Sequence, residues 1–354
     1  MSAPIGANAM RFSLLNSMPA AAQMRRLAGV LVICSLIPAE ALACACGCAV
    51  FDVGSTSLLP KEGDHGGAVY FEWDYSNQNQ NWSGLSPAPA ANNADKNILT
   101  NWFVVGMNYM VNRDWGFNVR IPTANRSFLT DNNFPESPGQ PTDIERYNVS
   151  TVGDIELTGM YTGFSDDMSK GVMFGVKLPT GDWRAYGFDR DSQIGTGSTD
   201  LILGGFWRGM ITGDNAWQYF FQGRMLLPLL THSEYDPTFG ADWGGYRPGV
   251  QFDAATGVVY NNWYHVGPLD KIAPVVQLIY SHREPDSGAA ADPADTGYDR
   301  LYISPGVDFT KVVDDANNRT FKLYGDIEIP IYQRMNGNQL VAPFLSKVIL
   351  GYTF

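Results

Sequence analysis

Three closely spaced cysteines, Cys44, Cys46 and Cys48 in the sequence C-A-C-G-C, are the residues of this chain best suited to metal binding. Closely spaced thiolates suit soft ions such as Cu(I) or Zn²⁺. Two other interpretations stay open: a disulfide with one free thiol, and lipid attachment at Cys44. The C-x-x-C-H motif for covalent haem is absent. We therefore expect no cofactor other than a soft metal at these three cysteines.

Charged side chains elsewhere recur at every second position, between apolar ones. Val69, Phe71 and Trp73 alternate with Glu72 and Asp74. A charge facing lipid costs about 2–4 kcal/mol near mid-bilayer, so in a membrane barrel the charged set must face the lumen. The predicted lumen set, which we also predict to serve transport, is Glu72, Asp74, Arg120, Asp154, Glu156, Lys177, Asp200, Arg208, Arg224, Asp253, Asp308, Lys322, Asp326, Glu328 and Lys347.

The signs of these lumen charges alternate between neighbouring strands. Two interpretations follow: the charges line a solvated passage, or they pair and cross-link a narrow barrel with little free bore. Catalysis has no comparable support, because His65, His232, His265 and His282 lie in separate segments without a Ser-His-carboxylate order. We predict that the chain is not an enzyme.

The elements that carry these charges are predicted strands. Only 17% of residues are charged and 13% are aromatic, and beyond the N-terminal region no run of about 18 apolar residues occurs. In residues 347–354, Val348, Leu350, Tyr352 and Phe354 occupy every second position. A strand of this kind that ends on an aromatic residue looks like the closing strand of an outer-membrane barrel. Its Phe354 would be read by the barrel-assembly machinery.

Twelve segments with this alternation predict an all-β fold, a single transmembrane antiparallel up-and-down β-barrel with long outer loops and short periplasmic turns. The eighth connection, at residues 261–271, is of intermediate length. The ninth is one of the long connections and ends before Arg300. The eleventh, at residues 333–339, is the shortest of the loops. The strands are expected to begin near Gly67, Leu99, Trp115, Val152, Gly171, Asp200, Trp217, Arg247, Ile272, Arg300, Phe321 and Ala342.

The N-terminal part predicts export. Arg25 and Arg26 precede an apolar core, and the sequence A-L-A ends at Ala43. This pattern is typical of a signal peptide over residues 1–43, with a start at Met24 as an alternative. Residues 44–66 form a Cys-rich periplasmic segment that could fold into the lumen as a plug, and residues 67–354 form the barrel.

The sharpest motif runs from Gly171 to Asp182, G-V-M-F-G-V-K-L-P-T-G-D, and continues as G-T-G-S-T-D from Gly195 to Asp200. It resembles a family of outer-membrane proteins labelled as transporters of the meta-pathway of phenol degradation. The match is specific over about thirty residues and looser elsewhere. The resemblance implies a spanning barrel that takes up small, aromatic or hydrophobic molecules. Lys177 and Asp200 both fall on the inward-facing positions of their strands, so they are expected to pair near the outer rim. The pair should be partly solvated and stabilise the barrel by about 1 kcal/mol or less. Its expected role is to fix residues 182–199 over the mouth of the barrel.

The functional prediction is an outer-membrane channel for passive uptake of small molecules. The alternative is a closed barrel that anchors a periplasmic Cys-rich segment binding a metal or a partner. The expected partners are outer-membrane lipid, the assembly machinery and a small solute. The net charge of −12 disfavours nucleic acid. The expected location is the outer membrane of a Gram-negative bacterium, with both termini periplasmic.

Overall fold

The computed structural model describes residues 66–134, 141–231, 245–261, 263–317 and 319–354. The predicted signal peptide and Cys44, Cys46 and Cys48 lie outside these residues. The strands of the first half are β1 Gly66–Gln78, β2 Gln80–Gly84, β3 Ser86–Pro87, β4 Asp95–Met110, β5 Trp115–Asp131, β6 Ile144–Val152, β7 Ile155–Tyr161 and β8 Lys170–Leu178. Those of the second half are β9 Ser198–Met210, β10 Trp217–Thr231, β11 Gln251–Tyr260, β12 Trp263–Val266, β13 Leu269–Arg283, β14 Tyr298–Asp314, β15 Arg319–Val341 and β16 Leu345–Thr353.

Twelve antiparallel strands close into a barrel, as predicted. β6 and β7 together form the fourth barrel strand, since both pair with β5, and β11 and β12 form the eighth, since both pair with β13. β1 closes the ring by pairing with β16. The closure leaves none of the twelve strands as an exposed sheet edge along its paired length. Among the described residues, no helix is long and apolar enough to span a membrane.

The two faces of the wall differ in the way the alternation predicts. In β15, Leu323 and Ile327 are exposed on the outside, whereas Tyr324, Asp326 and Glu328 are buried inside. Aromatic pairs lie on neighbouring strands at the short-turn end: Trp115 with Tyr161, Trp217 with Tyr260, and Phe321 with Tyr352. Rings in this position are typical of the aromatic girdle at a membrane interface.

Three predicted boundaries are wrong. The fourth strand begins at Ile144 rather than near Val152, because β6 continues the pairing with β5 beyond a break at Gly153 and Asp154. Part of the predicted eighth connection is strand, since β12 and β13 form a hairpin. The predicted loop at residues 333–339 is also strand, because β15 extends to Val341. Beyond the residues of β15 that pair with β16, its C-terminal part pairs with β2.

Candidate functional site

A break in the fourth barrel strand organises the candidate site. At the break, Thr180 from the connection after β8 replaces the missing strand partner. Its hydroxyl donates to the Gly153 carbonyl over 2.9 Å and accepts from the Ile155 amide over 2.9 Å. The side chain of Thr180 therefore ties residues 179–197, which we call the inner loop, to the barrel wall.

The inner loop packs inside the barrel, against residues of β4, β5 and β15. Phe188 is buried and stacks on Phe128 of β5, with ring centroids 5.3 Å apart. Ile98, Ala185 and Leu340 complete this apolar cluster. Ile194, farther along the loop, packs on Trp102 and Ala124. The inner loop thus narrows the lumen at the level of these contacts.

The two halves of the sequence motif meet where the inner loop starts and ends. The Gly195 amide donates to the Asp182 carbonyl over 2.8 Å. The backbones of Gly181 and Gly195 lie so close that a Cβ on Gly195 would overlap the carbonyl of Gly181. Gly197 has a φ of +66°, a conformation that favours glycine. The glycines of the motif are therefore needed for the close approach of the two loop ends.

Gly195→Ala should detach the inner loop, because the backbone oxygen of Gly181 cannot move as a flexible side chain could. We expect faster protease cleavage within residues 182–194 and a larger single-channel conductance, with the barrel still folded. The control is Gly213→Ala in an exposed turn, where an added Cβ meets no atom within 4 Å. If the loop of the G195A protein resists protease as well as that of the control, the packing argument fails.

Lys177 joins the loop to the wall through charge. Its Nζ lies 2.8 Å from Asp200 Oδ2 and 3.0 Å from Asp154 Oδ2, and it donates to Thr196 Oγ1 over 2.5 Å. Asp154 also accepts from the amides of Gly181 and Thr196. The predicted Lys177–Asp200 pair is therefore present. The expectation that it is partly wet is wrong, because all three charged side chains are buried.

A second network, which we call the ion-pair belt, crosses the inside of the barrel. It runs in the order Lys347, Glu72, Arg120, Glu156, Arg224 and Asp253, with closest N–O distances between 3.1 and 3.9 Å. Lys347 also lies 3.7 Å from Asp74. These side chains come from six strands, including β1 and β16, so the belt connects both sides of the closing seam.

The remaining predicted lumen residues lie outside these two networks. Asp326 accepts from Gln277, Ser304 and Tyr324, and Glu328 is buried beyond it on the same strand. Arg208, Asp308 and Lys322 are half-buried nearer the short turns. The structure thus places the whole predicted set on the inner face, while its role in transport stays a prediction.

A cavity of about 150 Å³ lies between the inner loop, the Lys177 network and the belt. Sequence reasoning missed its loop residues Arg190 and Ile194, and also Tyr246. Apolar residues in a connection that is otherwise polar were the available signal. Among the described residues, no group of three or more His, Cys, Asp and Glu side chains is arranged to hold a metal ion.

Tyr246, at the edge of this cavity, is itself held by hydrogen bonds of its hydroxyl group. Its hydroxyl donates to Asp286 Oδ2 over 2.6 Å. Burial, together with the Asp286 charge, raises the pKa of the Tyr246 hydroxyl well above its usual value. The hydroxyl therefore remains a hydrogen-bond donor at physiological pH.

Comparison with solved structures identifies the fold. An outer membrane channel from Pseudomonas putida F1 aligns with a TM-score of 0.58 at 11% sequence identity, covering 86% of this chain and 100% of that chain. The chain has an outer-membrane β-barrel fold. The β domain of the Bordetella autotransporter BrkA aligns with a TM-score of only 0.44 at 9% identity, covering 82% of this chain and 100% of that one.

Family membership has no such support. No family model matches the chain, and no curated protein matches it. The resemblance to transporters of the meta-pathway of phenol degradation therefore stays a prediction that rests on the residues of the motif.

Proposed function

We propose that this protein is an outer-membrane channel for passive uptake of small molecules. The observation that carries the proposal is a closed barrel with an apolar outer face, a charged inner face and a cavity inside that is lined by both charged and apolar residues. An apolar outer band suits lipid, whereas a charged interior suits water and solutes. The likeness to a channel from Pseudomonas putida F1 agrees with this proposal.

The solute class follows from the cavity. Its volume of about 150 Å³ resembles that of an engineered protein cavity that binds benzene. Trp102, Ile194 and Leu226 supply apolar lining among the charges. A single-ring aromatic solute fits this combination of size and surface, in agreement with the substrate class that the motif resemblance implies.

Purified protein in planar bilayers should give discrete conductance steps, and proteoliposomes should take up small aromatic solutes faster than protein-free vesicles. Heat-unfolded protein added at the same concentration is the control. Both assays should be repeated after deletion of residues 49–66, the segment that we predict could act as a plug. A barrel that is silent in both assays, with and without the deletion, would contradict channel function.

One observation favours the second candidate, a closed barrel that anchors the Cys-rich N-terminal segment. The inner loop and the ion-pair belt both fill space inside the wall. This candidate predicts a barrel without measurable conductance and an N-terminal segment that binds a metal or a partner. Mass spectrometry of the mature N-terminus would test it, by showing cleavage after Ala43, acylation of Cys44, a disulfide or a bound metal.

The orientation of the chain is part of the proposal. We place the short turns and both chain termini in the periplasm, and the long connections on the outer side of the membrane, from which the inner loop folds into the barrel. Protease added to intact cells should then cleave the long connections and leave the short turns uncut.

A further inference from the structure

Arg190, in the inner loop, is a buried cation held in one orientation. Only 5% of the residue is exposed. Its guanidinium carbon lies 4.1 Å from the ring centroid of Tyr246 and 5.0 Å from that of Trp183, within the range of cation–π attraction. Its Nη2 donates to the Thr196 carbonyl over 2.6 Å. These contacts fix the position of the guanidinium without neutralising its charge.

The donors of Arg190 are incompletely used. Its Nε and Nη1 are buried and have no hydrogen-bond partner among the described residues. A buried charged donor without an acceptor is costly, and such groups normally have partners. Lys177, another buried cation of the site, instead contacts two carboxylates. Arg190 therefore has unused capacity to bind an anion.

The cavity of about 150 Å³ lies beside this guanidinium, because Arg190 is part of its lining. Asp191 lines the same cavity, and its charge acts on Arg190. Its carboxylate is nevertheless not an acceptor for Nε or Nη1 of Arg190. Asp154 and Asp200 are in contact with Lys177. Asp286, whose charge also acts on Arg190, accepts hydrogen bonds from Tyr246 and Arg283. A ligand would therefore have to supply the anion that accepts from Nε and Nη1 of Arg190.

We infer that the cavity binds an aromatic monocarboxylate, with its carboxylate on Arg190 and its ring on Trp102 and Ile194. The inference rests on the proposed channel function for its meaning, since it names the class of solute that the channel would select. A carboxylate on a guanidinium forms charge-assisted hydrogen bonds, and the fixed guanidinium loses little freedom when it binds. The apolar part of the lining explains why the ligand carries a ring.

Calorimetric titration of the full chain, folded in detergent, tests this assignment with benzoate, its neutral isostere benzamide, and acetate. Wild-type protein should bind benzoate at least about tenfold more tightly than either of the other two. Arg190→Gln should lower benzoate affinity at least about tenfold and leave benzamide affinity unchanged. Asp191→Asn should raise benzoate affinity, because a competing negative charge is removed.

Arg184→Gln is the matched control. Arg184 lies in the same loop and 4.2 Å from the centroid of the same Trp183 ring, but it is exposed. Its replacement should leave benzoate affinity unchanged. Equal benzoate and benzamide affinities in the wild type would overturn the inference without any variant, as would wild-type benzoate affinity in a folded R190Q protein. Equal benzoate and acetate affinities would overturn the aromatic part.

Failure of the channel proposal is distinguishable from failure of this inference. Equilibrium binding of benzoate with no conductance would contradict passive uptake and leave the anion site in place. Conductance without preferential binding of benzoate over benzamide would contradict the anion site and leave the channel proposal in place.

Discussion

Replacing Lys177 with methionine is expected to destabilise the barrel by about 3–5 kcal/mol, because two buried carboxylates lose their shared counter-charge. Asp154 and Asp200 both contact Nζ of Lys177, and methionine fills a similar volume without a charge. The sequence alone predicted about 1 kcal/mol or less, on the assumption of a partly wet pair. Burial of the pair makes the expected effect larger.

The measurement is unfolding of the detergent-solubilised barrel in urea, followed by tryptophan fluorescence. Lys170→Met is the matched control. Lys170 begins the same strand and is exposed, and its Nζ lies over the ring of Trp207. Its loss should change stability by no more than about 1 kcal/mol. A K177M protein that unfolds at the same urea concentration as K170M would contradict the account of the buried triad.

Phe188→Ala should open the lumen. Phe188 is 3% exposed and anchors the inner loop on Phe128, and truncation of a buried phenylalanine to alanine costs about 3–5 kcal/mol. Most of this loss should fall on docking of the loop, since the twelve paired strands do not depend on the ring. We expect a severalfold rise in single-channel conductance with little change in the unfolding of the barrel.

Tyr186→Ala provides the comparison. Tyr186 lies two residues away in the same loop and is 74% exposed, with an edge contact to Tyr147. Its removal should leave conductance close to that of the wild type. Equal conductance in F188A, Y186A and wild-type protein would show that the inner loop does not limit passage.

The barrel itself was predictable from local pattern. Leu323, Ile327 and Ile329 alternate with Tyr324, Asp326 and Glu328, and a period of two assigns each residue to a face without knowledge of its neighbours. Lys177 and Asp200 could be paired in the same way, because adjacent strands and shared parity suffice. Long and short connections in alternation then gave the order of the strands.

The inner loop was not predictable by these means. Trp183, Phe188 and Arg190 occur in a connection without periodicity. The apolar residues there signal a packed segment, but without a period they cannot be assigned to a face of the barrel. Their partners, among them Ile98 and Leu340, are far away in sequence. The sequence likewise predicts the start of a strand near Val152, although Gly153 and Asp154 break a strand that begins at Ile144. At this break the hydroxyl of Thr180 bonds to the backbone of Gly153 and Ile155, on either side of Asp154, and this contact cannot be predicted from the sequence.

The seam between β1 and β16 imposes an order on folding. The other eleven pairings of the barrel join strands that follow one another along the chain, whereas this one joins the first and the last. Its loop-closure entropy is the largest in the barrel, and contacts of such high sequence separation form slowly. Until it forms, two strands present unpaired amides and carbonyls that lipid cannot satisfy. Insertion and closure are therefore coupled, and a partly closed ring has no stable place within the bilayer.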